Sequence, residues 1–379
     1  MKNYFGAPIK KLGFGFMRLP GFEGKPDSEI DYELTNKMTD LYLDQGFTYF
    51  DTAFVYHGGN SEVAIRKALT ERYPRDKFQV TTKIPLWKES SFEEMGAVTQ
   101  KSLDRTGLDF FDLYFLHGVG PDRLEMIERM KAFDYLRELK EKGKAKNIGF
   151  SYHGDSDTLN RILDKHGKYL DIVQLPINYL DWDGEGKKGY DVAMAHEKGI
   201  IVMNPVKGGS LANFTPEVAD IFKKANPDVS VASWALRFAM HLPGVITVLS
   251  GMSDISQVED NMNIAKTMGP LSDAEMKVIH EALVEIKKIP TIPCTKCKYC
   301  LDCCPKKIDS LGIINLLNEY TLYQSLPNTK RFYTMLTSGA WGGAVVKSSD
   351  CINCGECELH CPQGIKIMDA HKDAAKLFE

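Results

Sequence analysis

All nine cysteines of this 379-residue chain fall between Cys294 and Cys361. A fold stapled by disulfides spreads its cysteines through the chain it staples, and an odd number cannot all pair. The confinement instead gives one segment a chemistry of its own. Its border is Ile289-Pro290-Thr291-Ile292-Pro293, whose prolines cannot continue a helix. The chain is therefore expected to divide into a body, residues 1–289, and a tail, residues 290–379.

The tail holds two runs, Cys294-Thr-Lys-Cys297-Lys-Tyr-Cys300-Leu-Asp-Cys303-Cys304-Pro305 and Cys351-Ile-Asn-Cys354-Gly-Glu-Cys357-Glu-Leu-His-Cys361-Pro362. Both fit C-x2-C-x2-C-x3-C-P when Cys304 rather than Cys303 is the fourth member. This is the run of bacterial two-cluster ferredoxins, in which the fourth cysteine ligates the other cluster. Two [4Fe–4S] clusters are expected, one on Cys294, Cys297, Cys300 and Cys361, the other on Cys351, Cys354, Cys357 and Cys304. Paired zinc sites are the alternative, although zinc leaves the third cysteine and the Cys-Pro pair of each run unexplained. Cys303 is spare, a small buried side chain rather than a ligand. About forty-five residues separate the runs, more than in a minimal ferredoxin. Within them Leu311–Tyr323 and Lys330–Leu336 have helical apolar spacing and are expected to pack the cluster module onto the body.

The body alternates short apolar runs with longer amphipathic ones. Candidate strands are Leu12–Phe16, Thr48–Asp51, Phe78–Thr82, Phe111–Leu116, Ala145–Phe150, Ile172–Gln174, Ile200–Met203 and Val245–Leu249. Helical patterns between them include Asp31–Gln45, Ser61–Arg72, Phe92–Arg105, Leu124–Lys142 and Val229–His241. Parallel strands need helical crossovers, so eight such alternations predict an α/β (β/α)8 TIM barrel, with a doubly wound open sheet as the alternative. The runs end in Asp51, Lys83, His117, Ser151, Gln174 and Ser250. In a barrel these polar ends converge on the C-terminal rim, where active sites sit. No P-loop or G-x-G-x-x-G fingerprint is present, and Gly13-Phe14-Gly15 lacks the third glycine of a Rossmann turn.

Several function classes are excluded. With 43% hydrophobic and 26% charged residues the composition is that of a soluble globular protein. A net charge of −4 gives no electrostatic reason for a nucleic-acid partner. No apolar run approaches the roughly 18 residues of a membrane span. Met1 to Lys11 lacks the charged-then-apolar layout of a secretory signal, so a cytoplasmic location is expected.

Phe50-Asp51-Thr52-Ala53-Phe54-Val55-Tyr56 resembles the signature of the aldo-keto reductases. The likeness continues in order through Thr81-Thr82-Lys83, Leu116-His117, Ile148-Gly149-Phe150-Ser151, Val173-Gln174, Asn204-Pro205 and Ser250-Gly251. With the tail, the chain resembles a branch of that family fused to a ferredoxin-type domain. The resemblance implies carbonyl reduction by hydride from a nicotinamide cofactor, with Asp51, Tyr56, Lys83 and His117 as the catalytic tetrad. A free tyrosine, with pKa near 10, is a poor acid at neutral pH, and the Lys83 cation would favour its phenolate. Asp51 would hold Lys83, and His117 would orient the carbonyl.

The resemblance also implies cofactor contacts at Gly15, Ser151, Gln174, Met203, Ser250, Gly251, Gln257 and Asn261. Tyr152 stands where many relatives have asparagine, and Met203 where many have the aromatic that stacks on nicotinamide. Ser253 and Gln257 replace the basic pair that clamps the 2′-phosphate of NADP, which leans the expectation toward NAD. Phe22, Trp87, Tyr179 and Trp182 are candidate rim aromatics, and Gly118-Val119-Gly120 implies an open substrate pocket.

Clusters move one electron and a nicotinamide two, an exchange that normally needs a flavin between them. Nothing marks a flavin site, though a barrel rim can hold one without a short motif. Three readings stay open: an NAD(P)-dependent reductase of an aldehyde or ketone with passive clusters; an enzyme fed by a redox partner such as ferredoxin; and a non-catalytic electron-transfer protein with a barrel scaffold.

Overall fold

The computed structural model describes every residue except 1–2, 7, 23–24, 27, 88–89 and 341–342. The chain forms two compact units: Met1–Pro205 with Ser233–Leu271, and Val206–Ala232 with Ser272–Glu379.

In the first unit eight parallel strands close into a barrel in chain order. They are β1 (Leu12–Gly15), β2 (Tyr49–Asp51), β3 (Gln79–Pro85), β4 (Phe111–Val119), β5 (Ala145–Tyr152), β6 (Ile172–Pro176), β7 (Gly199–Met203) and β8 (Val245–Ser250). The crossovers carry α1 (Tyr32–Asp44), α2 (Asn60–Ile65), α3 (Phe92–Thr106), α4 (Pro121–Arg129), α5 (Ala132–Glu141), α6 (Ser156–His166) and α7 (Lys187–Ala195). The β7–β8 connection contains α8 (Pro216–Ala225) and α9 (Val231–Met240), and α10 (Ile255–Thr267) follows β8. Local chemistry sets the helix ends. The Asp31 carboxylate accepts from Leu34 N to start α1, and Ser91 with Glu94 forms a capping box on α3, which stops at left-handed Gly107.

All eight strands lie where the apolar runs place them, but five reach further toward the rim. Lys83 pairs in register with Phe115, His117 with Pro85, and Ser151 with Gln174. These polar residues are thus ladder members rather than loop residues. Their backbones stay hydrogen-bonded while their side chains reach the mouth. The predicted helix Leu124–Lys142 is broken into α4 and α5, because Lys131 adopts a left-handed φ of 55°.

Tyr49, Leu113, Phe115, Ile172, Ile201, Ile246 and Leu249 form one buried cluster from five strands, with Tyr4, Phe5, Ile9 and Met203 packed against it. Such layered filling makes a barrel interior a packed core. Gly149 is demanded by this packing. A Cβ there would lie 1.9 Å from Ile172 O and 2.7 Å from the Phe115 ring.

The second unit contains α8, α11 (Asp273–Ile286), α12 (Tyr299–Asp302), α13 (Ser310–Tyr323), α14 (Leu326–Thr337), α15 (Glu356–Leu359) and α16 (Ile367–Phe378). Its cysteine-bearing part repeats itself 57 positions on (294 to 351). The short helix α12 matches α15, and α13 matches α16. The backbone repeats as well: φ is positive at Lys296, Lys298 and Lys307, and again at Asn353, Gly355 and Gly364. Ile308, Ile313, Ile314, Leu317, Ile365, Ile367 and Phe378 form the shared core. Asn318 pins the approach to Cys294, accepting from Ile292 N at 2.8 Å and donating to Ile292 O at 2.9 Å. Asn328 and Ser210 side chains meet at 3.5 Å, and the Phe214 and Tyr323 rings at 6.0 Å, so the β7–β8 connection shares this unit's packing.

Gly149→Ala is expected to destabilise the barrel by about 1–3 kcal/mol through overpacking. Calorimetry checks this as a lowered unfolding temperature; an unchanged one would contradict the close approach of β5 to β6.

Candidate functional site

Buried charge organises the barrel mouth. Lys83 on β3 is 1% exposed and Asp51 at the end of β2 is 3% exposed. The Lys83 ammonium donates to Asp51 Oδ1, and to Thr52 O at 2.8 Å. Gln174 Nε2, from β6, donates to Asp51 Oδ2 at 3.1 Å. Burial pushes the Asp51 carboxyl up, opposed by Lys83 and Gln174. For Lys83, burial lowers the pKa, but the Asp51 carboxylate and the Tyr56 hydroxyl outweigh it and the net shift is upward. The lysine therefore stays cationic through the neutral range.

Tyr56 opens a tight turn in which His57, Gly58 and Gly59 all have positive φ. Two glycines make that path accessible, and it sets the Tyr56 ring over the pair, 5.0 Å from Lys83 Nζ. On the other side the Tyr56 and His117 ring centroids are 5.6 Å apart, edge to face. His117 Nδ1 is buried without a hydrogen-bond partner among the described residues. Burial, then the Lys83, His153 and Arg123 charges, hold the His117 pKa well below the ordinary imidazole range. The ring is neutral at physiological pH and carries a single N–H. The four expected tetrad residues are thus brought together.

The expected cofactor residues lie on the same barrel. Ser151 Oγ accepts from Gly118 N at 2.8 Å. Gly15 and Ser250 line up on adjacent strands, where a Cβ at Gly15 would approach Ser250 O to 3.4 Å. Ser250 Oγ accepts from Asn261 Nδ2 at 3.0 Å. Gly251 and Gln257 are exposed, and Gln257 Oε1 accepts from Ser253 N at 2.9 Å, folding the β8–α10 turn on itself. Met203 ends β7, half-buried. Tyr152 is committed elsewhere, donating to Asp155 O at 2.6 Å.

Of the four candidate rim aromatics, Trp87 stands edge-on to His117 at 5.0 Å, with the Arg123 guanidinium 5.5 Å from its ring. Tyr179 and Trp182 instead pack on Phe238, at 6.2 and 5.3 Å. Phe22 is 53% exposed. Arg123, on α4, also donates to Gly118 O at 3.2 Å; it was not legible as a rim residue, because it ends no apolar run.

In the second unit the cysteines sort into two sets. One small cavity is lined by Cys294, Cys297, Cys300 and Cys361, with Ile314. Another is lined by Cys304, Cys351, Cys354 and Cys357, with His371. Each set takes three residues from one repeat and the fourth from the other. Ile308 N donates to Cys304 Sγ at 3.4 Å. Burial and neighbouring cysteines push Cys300 up to about 11 and Cys357 up to about 12. Four thiols lining each cavity are the donor set of a cuboidal [4Fe–4S] cluster. Cys303 lines neither cavity, and its Sγ sits 3.7 Å from Cys300 O.

Fold and site together define the class, an oxidoreductase barrel carrying an iron–sulfur type tail. Residues 11–284 match the aldo/keto reductase family profile and residues 293–366 the 4Fe-4S dicluster domain. The chain belongs to the aldo-keto reductase family. It is 25% identical over 302 residues to the uncharacterized oxidoreductase YqkF of Bacillus subtilis (strain 168), covering 72% of this chain and 92% of that protein. It is 28% identical over 326 residues to the NADH-specific methylglyoxal reductase of Escherichia coli (strain K12), covering 72% and 94%. Among solved structures it is similar to aldo-keto reductase AKR11C1 of Bacillus halodurans, holo form, with TM-score 0.59 and 25% identity over 72% of this chain and 92% of that one. A Klebsiella pneumoniae aldo/keto reductase in complex with NADP and acetate shares the fold at TM-score 0.59 and 19% identity, over 73% of this chain and 92% of that one. Among the described residues no helix is long and apolar enough to cross a membrane.

Asp51→Asn leaves the Lys83 ammonium buried with an uncompensated charge, and is expected to cost about 3–5 kcal/mol. In urea unfolding the double variant Asp51→Asn/Lys83→Met should recover part of that loss. A single variant as stable as wild type would show that the pair is not held dry.

Proposed function

We propose that this chain reduces an aldehyde or ketone at the barrel mouth with NAD(P)H, using Tyr56 as proton donor, and holds two [4Fe–4S] clusters in its tail. The carrying observation is the buried Asp51–Lys83 pair set beneath the Tyr56 ring. Residues 1–289 are assigned the carbonyl chemistry and residues 290–379 the clusters. The NADH-specific reductase among the relatives supports the nicotinamide assignment.

The nicotinamide, when bound, supplies the hydride. Gly15, Ser151, Gln174, Met203, Ser250, Gly251, Gln257 and Asn261 are assigned to hold it. Tyr56 gives its phenolic proton to the carbonyl oxygen, and the Lys83 cation stabilises the phenolate left behind. Asp51, braced by Gln174, keeps that cation in place. Neutral His117 donates a hydrogen bond to the same oxygen and orients it; an imidazole held neutral does not compete as the acid. Trp87 walls the pocket beside His117.

The clusters, held by Cys294, Cys297, Cys300 and Cys361 and by Cys351, Cys354, Cys357 and Cys304, supply one-electron chemistry. Two such sites favour a second reading, in which a ferredoxin-type partner feeds the barrel through them, with a flavin as the one-to-two electron converter. Adding NADH or NADPH to anaerobically reconstituted protein separates the two. Nucleotide consumed only with a carbonyl present, the cluster absorbance unbleached, supports the reductase. Bleaching by nucleotide alone supports the coupled enzyme.

Tyr56→Phe is expected to lower kcat for carbonyl reduction by about 10²–10⁴-fold. Nucleotide affinity, read by fluorescence titration, should stay unchanged; retained turnover would remove Tyr56 from the role. Because His117 titrates well below the ordinary imidazole range, kcat/KM should show no limb near pH 6.5, and a limb there would mean that His117 ionises in catalysis.

A further inference from the structure

The repeat in the second unit gives its two cysteine-lined cavities matching cysteine positions, while five other lining pairs differ in kind: Thr295 and Ile352, Lys298 and Gly355, Gln363 and Lys306, Ile367 and Ser310, and Ile314 and His371. Ile314 on α13 faces the first cavity, and its repeat mate 57 positions on, His371 on α16, lines the second. His371 is 3% exposed. Its Nε2 lies 2.9 Å from Ser310 Oγ, while Nδ1 is buried with no hydrogen-bond partner among the described residues. An enclosed ring nitrogen left unsatisfied in a packed core calls for a partner absent from the polypeptide.

Donor and acceptor bookkeeping identifies that partner. Burial disfavours the charged ring, so it carries one N–H. Ser310 can donate its hydroxyl hydrogen to Nε2, which leaves the ring hydrogen on Nδ1. The cavity that His371 shares is otherwise lined by Cys304, Cys351, Cys354 and Cys357 and mostly apolar groups. A cluster on those thiolates offers sulfur acceptors and no donors. The two halves are then complementary.

We propose that His371 Nδ1–H donates a hydrogen bond to sulfur of the cluster held by Cys351, Cys354, Cys357 and Cys304, and so holds that cluster at a higher reduction potential than it would have without the bond. Reduction adds one negative charge to the cluster, and a hydrogen bond to its sulfur strengthens as that charge grows. The donor therefore stabilises the reduced form. Ile314 supplies no such bond to the first cluster. His371 is a positioning and tuning residue, with no contact to the carbonyl chemistry. The proposal rests on the cluster ligation set out above.

The test is an anaerobic potentiometric titration of reconstituted full-length protein with dithionite and mediator dyes, each reduced cluster followed by its paramagnetic resonance signal. Wild type should titrate in two one-electron steps. His371→Ile, which copies the first repeat, should lower one step by about tenfold in its equilibrium constant, or 59 mV, and leave the other in place. Ser310→Ala, which frees the ring to turn, should lower the same step by less. His371→Gln, which keeps an N–H donor, should restore part of the shift. Unchanged potentials in both His371→Ile and Ser310→Ala, at full iron content, would overturn the proposal. Wild type that binds far fewer than about eight iron atoms per chain would instead sink the ligation reading itself.

Discussion

Closure of the parallel sheet is the constraint on which the barrel and its site depend. Each strand of the ring pairs with its sequence neighbours, and β1 pairs with β8, so no edge remains to be satisfied by solvent or another chain. All strands run the same way, so every C-terminal end meets at one mouth. That is how Asp51, Lys83 and His117, from three successive strands, come to share a few ångströms. It also explains the longest-range contact of the site. β2 and β6 lie opposite one another on the eight-strand ring, and the Gln174–Asp51 bond, between residues 123 positions apart, spans the mouth.

A closed barrel has a dry interior, and dryness gives the mouth its electrostatic character. In water the Lys83–Asp51 attraction would be worth little. Buried, the two charges are held by each other and by the Thr52 carbonyl and the Gln174 amide. The same cation that is kept beside Tyr56 helps strip His117 of its proton affinity. That one buried charge thus lies beside both rings and favours neutrality at His117.

Much of this arrangement was legible because each strand wrote its own signature. The apolar runs that end in Asp51, Lys83, His117, Ser151 and Gln174 marked both the strands and the rim. What was not legible depends on contacts remote in sequence. The break at Lys131 lies where no glycine or proline announces it, since a lysine pays the left-handed conformation only when packing on both sides requires it. Tyr179 and Trp182 looked like pocket aromatics, and only their contacts with Phe238 show them holding loops down. The membership of Val206–Ala232 in the second unit escaped notice because periodicity marks an apolar helix face without saying which core receives it. His371 lies beyond the cysteine motif, and only the superposed repeats bring it opposite Ile314.

The interlocking of the two cysteine runs has a bearing on how the protein is made. All eight strands are encoded by residue 250, before the first cysteine at 294, so the barrel's sequence is complete before any ligand emerges. On the assigned ligation the set beginning at Cys294 waits for Cys361, and the set containing Cys304 waits for Cys357. Neither cofactor can be closed around a nascent chain that stops short of those positions. On that ligation a chain truncated before Cys357 would lack both complete ligand sets, and one truncated between Cys357 and Cys361 would lack the first.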